Sequence, residues 1–325
     1  MTSEQCPLQG SHKLLVREAV DEYIASLKRL QPLTVVGYEQ RLAVFCDWCE
    51  SQQPPIELET IRRVVVDAFV VSLRDTRMPH KVESVQISTY TLQGYVAAIL
   101  VFLHWCLDDE EYSQSVKAAT VGRIKKPKLE QTVIEIFDKA QLDAMFLSCK
   151  QEYNGHLQAR DKAILSVLLD TGIRASELCQ LVIGNVHTDP KDAYVKVHGK
   201  GDKWREVGLG DLSRRDMKSY LRLYRLDAAR SDVVFVNRYG RGLTVNGLEQ
   251  IIRRLGKWAE VQGVRCSPHT FRHTFACNYL LQGGDVYILS RLMGHTSVQV
   301  TERYLKAVKA SQARRIGRSV LGDVK

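Results

Sequence analysis

Through the first hundred residues, apolar side chains recur every three or four positions, the spacing that gathers them on one face of a helix. Val16, Val20, Tyr23, Ile24 and Leu27 share such a face. After a break at residues 30–33, Thr34 is placed to cap a second helix carrying Tyr38, Leu42, Phe45 and Cys49. Ile61, Val65, Phe69 and Leu73 predict a third. A fourth run, with Leu92, Tyr95, Ile99, Phe102, Leu103 and Cys106, is apolar nearly all round and predicts the central helix of a small bundle. Its uninterrupted apolar stretch stops at His104, too short to span a bilayer.

The pattern changes at residues 121–128 (VGRIKKPK), where Arg123, Lys125, Lys126 and Lys128 crowd around a glycine and a proline without apolar periodicity. This predicts a helical domain over 1–120, a basic linker over 121–132 and a second domain over 133–325. Two readings of the linker stand side by side: an exposed linker whose charge serves solubility, and a hinge lying along a phosphate backbone.

The second part mixes helix with a little strand. A helix through residues 160–169 ends at Thr171-Gly172, and another opens near Arg174. Residues 194–198 and 204–209 alternate apolar and polar around Gly199-Lys200-Gly201-Asp202, a β-hairpin pattern. Residues 233–236 offer a third strand. Leu248, Ile251, Ile252, Leu255 and Trp258 mark an amphipathic helix. Ser267-Pro268 opens the next, which stops at Gly283-Gly284. A further helix ends at Gly294, and Thr296 and Ser297 can cap a last one through Tyr304.

Composition narrows the class. Of 325 residues, 45% are hydrophobic and 26% charged, enough apolar material for a core and too much for a disordered chain. The 46 basic against 37 acidic residues leave a net charge of +9, which permits a polyanionic partner. Eight scattered cysteines suit a reducing compartment, and the first residues lack a basic segment followed by an apolar stretch, so no signal peptide is expected.

Four places put polar groups where a loop meets an element. Arg174 follows a glycine turn at a helix start, where backbone N–H groups favour an anion, and Glu177 one turn on can hold its guanidinium; an ordinary solvated ion pair fits as well. Lys200 sits at the hairpin tip. His269 and Arg272 stand three apart at a helix start, a fork beside an imidazole. Cys266, His269, His273 and Cys277 also form a zinc-like spacing, but Cys277 lies in an apolar stretch and core packing explains it better. His295 is followed nine residues later by Tyr304, which alone reads as packing.

Taken together, Arg174, Lys200, His269-x-x-Arg272, His295 and Tyr304 resemble the tyrosine recombinase (phage integrase) family. The stretches that carry this are TGIRASEL, VHGKGDKWREV, SPHTFRHTF and LMGHTSVQVTERY. The resemblance implies a mainly α fold with a small β-sheet, an N-terminal helical core-binding (SAM-like) domain and an α+β catalytic domain closing as a clamp on double-stranded DNA. It implies a site-specific recombinase that forms a 3′-phosphotyrosyl intermediate and needs neither metal nor ATP. Tyr304 would be the nucleophile, and Arg174 and Arg272 the cations on the non-bridging oxygens. His269 would be the base, Lys200 the acid for the 5′-oxygen, and His295 a hydrogen-bond donor to the phosphate. Glu177 and His273 would support them, and Arg123, Lys125, Lys126, Lys128 and Lys203 would touch DNA.

A homotetramer is expected in the synaptic complex, a monomer or weak dimer when free, no membrane partner, and a cytoplasmic, nucleoid-associated location. The segment after Tyr304, most of it outside the described residues, is expected to be an interaction tail that docks on its own subunit or, as the resemblance implies, on the neighbouring protomer. The short stretch before the first helix suggests no arm-binding domain, and the close spacing of Arg272 and His295 leaves no room for an integron-type helix. A mobile-element integrase or transposase and a Xer-like resolvase both fit. A type IB topoisomerase-like enzyme and a non-catalytic DNA-binding regulator are the alternatives.

Overall fold

The structure, a computed structural model, describes residues 15–29, 32–75, 87–128, 134–199, 203–295 and 297–308. The chain divides into two compact units, Met1–Thr132 and Val133–Lys325. Among the described residues helices dominate both, and one small sheet lies in the second.

In the first unit, α1 (Val16–Ser26), α2 (Pro32–Ser51) and α3 (Arg63–Asp75) surround α4 (Thr89–Asp108), with a short α5 (Ala118–Val121) after it. The Ser88 hydroxyl caps α4 by accepting from the Thr91 N–H at 3.2 Å. By length and composition alone α4 is apolar enough to cross a membrane. Here Leu92, Val96, Ile99, Phe102 and Leu103 are buried in the bundle core, as expected of its central helix. Rings of Tyr23 and Phe102 lie 5.7 Å apart and those of Phe45 and Phe69 5.0 Å apart, each fully buried aromatic contributing roughly 2–3 kcal/mol of apolar transfer energy. The second helix opens at Pro32, two residues before the expected Thr34 cap, because proline suits a first helical turn.

The basic segment after α5 departs from the expected free linker. Val121 and Ile124 are buried in the first unit's core, and the Gln93 amide donates to the Pro127 carbonyl at 2.7 Å. Arg123, Lys125, Lys126 and Lys128 stay exposed. Two apolar residues three apart, Val121 and Ile124, seat the segment, a periodicity too short to register as a helix pattern.

The second unit is built on α7 (Gly155–Thr171), preceded by α6 (Lys139–Ser148), with Ile164, Leu165, Val167 and Leu168 fully buried. It packs against α9 (Asp211–Tyr224) and α11 (Pro268–Leu281), with α8 (Ala175–Cys179) and α10 (Val245–Trp258) beside them. The helices α6 and α9 had no expectation from the sequence. In α9 the buried set is only Ser213, Met217 and Tyr220, a stripe one residue wide among charges.

The sheet is antiparallel in the order β1 (Val186–Asp189), β2 (Asp192–Gly199), β3 (Lys203–Gly208), with Val197 opposite Arg205. Val195, Val197 and Val207 face the core. The hairpin is where the alternation placed it; the third strand is not. Residues 233–236 join only through isolated bridges to Val182 and Gly242, while the true third strand, VHTD, has too few apolar residues to alternate.

Candidate active site

Arg174 is delivered by the turn that ends α7. Gly172 takes a left-handed φ of 57° there, and a Cβ at that position would come within 2.2 Å of the Phe275 ring. The chain therefore reverses tightly and presents Arg174 at the start of α8. Its backbone N–H donates to Glu177 Oε2 at 2.7 Å, its Nη1 to Glu177 Oε1 at 2.8 Å and its Nη2 to the Gly294 carbonyl at 2.6 Å. The expected anion seat on free backbone N–H groups is thus closed by Glu177, in a helix of only five residues. What remains open is the guanidinium itself, whose side chain keeps 31% exposure.

Arg272 lies on α11 after the cap at Ser267 and the proline at the first position. It is buried, donating from Nη1 to the Gly172 carbonyl at 2.6 Å and from Nη2 to the Met293 carbonyl at 2.7 Å. Burial and the neighbouring Arg174 charge pull it down to about 10, so it stays a cation at neutral pH.

The end of α12 (Val286–Met293) is the hub. Gly294 caps it at φ 63°, and a Cβ there would stand 3.0 Å from Arg205 Nη1 and 3.3 Å from Arg174 Nη1. The next residue, His295, has its ring parallel to Tyr304, 7° between planes and 6.4 Å between centroids. Its Nδ1 meets the Thr301 hydroxyl at 2.7 Å. Burial and the charges of Arg272 and Arg174 push it down to about 4, so His295 is neutral at pH 7. Ser297 caps the last described helix, α13 (residues 299–308), by accepting from the Gln299 N–H.

Tyr304, on α13, is fully buried among Phe275, Cys277, Leu289 and Met293. Its hydroxyl lies 2.8 Å from His273 Nδ1 and accepts from Arg303 Nη2 at 3.0 Å. His273, expected as a support, is the direct partner of the phenol, whereas His269, expected as the base, is exposed one turn earlier with its ring 6.3 Å from that of His273. The zinc-like spacing dissolves in the same stretch: Cys277 joins the apolar cluster and the Cys266 thiol lies against Gly256.

One residue was missed altogether. Arg205 on β3 donates from Nη1 and Nη2 to the two oxygens of Glu177, both at 2.8 Å, and from Nε to the Leu292 carbonyl at 2.7 Å. The signal was present in the strand's alternation, since Arg205 takes the inward-facing position next to Val207. Lys203 is exposed at the start of β3, and Lys200 lies outside the described residues.

The phage integrase family model matches residues 135–311, a little over half the chain. The chain belongs to the phage integrase family. It is a tyrosine recombinase, an enzyme of site-specific DNA recombination. Among relatives of this integrase, the tyrosine recombinase XerD of Listeria innocua is 26% identical over 302 residues, covering 90% of this chain and 95% of its own. In fold it is similar to the XerH site-specific recombinase in a post-cleavage complex with a palindromic difH substrate, at TM-score 0.73 and 19% identity over 91% of this chain and 83% of that one. It is similar also to a lambda integrase tetramer bound to a Holliday junction, at TM-score 0.68 and 13% identity over 90% and 78% of the two chains.

Proposed function

We propose that this recombinase breaks a DNA strand by attack of the Tyr304 hydroxyl on a backbone phosphate. The products are a 3′-phosphotyrosyl link and a free 5′-hydroxyl. Attack by a second 5′-hydroxyl then reverses the step on a new partner, and the ester keeps the bond energy, so rejoining needs no nucleotide hydrolysis.

The reading rests on one observation. Three consecutive residues, Met293, Gly294 and His295, gather the site: the first two carbonyls hold Arg272 and Arg174, and the third ring lies on Tyr304. Toward the described residues each guanidinium side chain donates through two of its five N–H groups, leaving the rest for phosphate oxygens. Charge that builds on those oxygens in the transition state meets two preorganised cations. His273, neutral and hydrogen-bonded to the phenol, takes its proton; His269 stands beside it on the exposed side. Since Tyr304 is buried, α13 must shift for the hydroxyl to reach a phosphate. Lys200, as the family resemblance implies, protonates the leaving 5′-oxygen.

The partner is double-stranded DNA at specific sites, with the exposed basic row Arg123, Lys125, Lys126 and Lys128, together with Lys203, on the phosphates. Four copies act together in synapsis and separate to monomers or weak dimers when free. The protein works in the cytoplasm on the nucleoid. A nicked suicide duplex tests the chemistry: the wild type should form an adduct stable to denaturant, and Tyr304→Phe should bind the duplex without forming one. An adduct that persists in Tyr304→Phe overturns the assignment.

A further inference from the structure

Glu177 is a carboxylate with every acceptor site filled. Its side chain is 2% exposed, and four donors converge on its two oxygens: the Arg174 N–H and Nη1, and the Arg205 Nη1 and Nη2. Burial by itself would raise its pKa; the Arg205 fork, the Arg174 N–H and the two positive charges outweigh this and hold it at about 2. It is therefore an anion at all working pH values, placed directly against the arginine that is meant to serve the phosphate.

That arrangement poses an electrostatic problem. A lone Arg174–Glu177 pair is neutral, and a neutral pair offers little to a phosphorane whose oxygens carry extra negative charge. Arg205 changes the balance. With two guanidiniums around one carboxylate, one positive charge is left over, and Arg174 is the more exposed of the two, 31% against 14%. Arg205 also holds the ground on which Arg174 stands. Its Nε ties the Leu292 carbonyl, two residues before the Gly294 carbonyl that Arg174 grips, so β3, α8 and the end of α12 are joined through a single side chain. Gly294 is bare because both guanidiniums lie against it.

We propose that Arg205 is a positioning residue for strand cleavage: it neutralises Glu177 and fixes the end of α12, so that the Arg174 guanidinium keeps its charge and its direction for the scissile phosphate. This rests on the reading of Arg174 and Tyr304 given under Proposed function. Arg205 itself touches no reacting atom. The fork is essential to the role, because a lysine ammonium cannot span two carboxylate oxygens and a carbonyl at once.

The test separates charge balance from simple folding. Single-turnover adduct formation is measured for the full chain on two suicide duplexes, one with a natural scissile phosphate and one with a methylphosphonate, whose missing charge lessens the need for a cation. Arg205→Met should slow adduct formation on the phosphate by about 10²-fold, the scale of losing one transition-state donor. On the methylphosphonate the loss should shrink to a few-fold, and the DNA concentration for half-saturation should be unchanged. Arg205→Lys, which keeps a charge beside Glu177 and protects the fold, should remain slow on the phosphate. Equal losses on both duplexes, or full activity in Arg205→Lys, would overturn the proposal. A wild-type chain that forms no Tyr304 adduct at all would instead sink the proposed function, leaving no ambiguity between the two.

Discussion

The hydroxyl of the fully buried Tyr304 stands 2.8 Å from Nδ1 of the partly buried His273. Burial, with the nearby charge of Arg303 and the neighbouring His269 adding to it, holds His273 down at about 4. The imidazole is neutral at physiological pH, and in the tautomer protonated at Nε2 its Nδ1 accepts from the phenol while Arg303 donates to the same oxygen. The nucleophile is thereby oriented and stored in one contact.

Removing that acceptor should show in stability and in rate. His273→Phe leaves the buried hydroxyl without its acceptor, a cost of about 1–3 kcal/mol. Adduct formation should fall by about 10²-fold, the usual scale of general-base assistance. His269→Ala, at an exposed position, should change stability by less than about 0.5 kcal/mol. Urea unfolding and single-turnover adduct assays on the two variants give the comparison, and equal stability losses would contradict the geometry.

The two arginines should differ in kind. Arg272→Met strips donors from the Gly172 and Met293 carbonyls, both deep in the fold, and should cost about 2–4 kcal/mol of stability as well as cleavage. Arg174→Ala should chiefly slow cleavage, on the order of 10²–10³-fold, by analogy with the removal of one oxyanion donor. Thermal melts beside adduct kinetics resolve the two effects; a variant of Arg174 within a few-fold of wild type would place it outside the chemistry.

Acid should unfold the second unit in two overlapping stages. His273 and His295 titrate at about 4 in the folded chain and near the ordinary 6.5 when unfolded, so protons favour the unfolded state. Their contribution is complete above pH 6.5 and is lost as pH falls toward 4. Glu177, held at about 2, contributes above its ordinary 4.5 and loses that as pH falls toward 2. The urea midpoint should therefore be flat above neutrality, then drop between pH 6.5 and 4, and His273→Phe should flatten part of the drop. A midpoint constant from pH 7 to 4 would refute this.

The basic row behind α5 should act through salt. Lys125→Gln and Lys126→Gln should each weaken binding evenly across sequences and lower the slope of log affinity against log salt by about one. Because Val121 and Ile124 anchor the segment, neither substitution should alter folding. Binding titrations at several salt concentrations decide it, and an unchanged slope would remove these lysines from the interface.

What the sequence alone determined is local. Helices α4 and α10 were legible because their apolar residues recur at helical spacing, and the start of α11 and the end of α12 because Ser267 and Gly294 act within a few residues of themselves. The order of Arg174, His269, Arg272, His295 and Tyr304 was legible for the same reason, as a series of short boxes. Tertiary structure decided which groups touch. Arg174 meets Gly294 across 120 positions, Arg272 meets Gly172 across 100 and Arg205 meets Leu292 across 87. No spacing rule reaches that far. Whether His269 or His273 holds the phenol, and whether an inward arginine on a strand is a fault or a clamp, depends on elements brought together by burial of a shared core. Periodicity reports how each element turns its faces; only the packed chain says what each face meets.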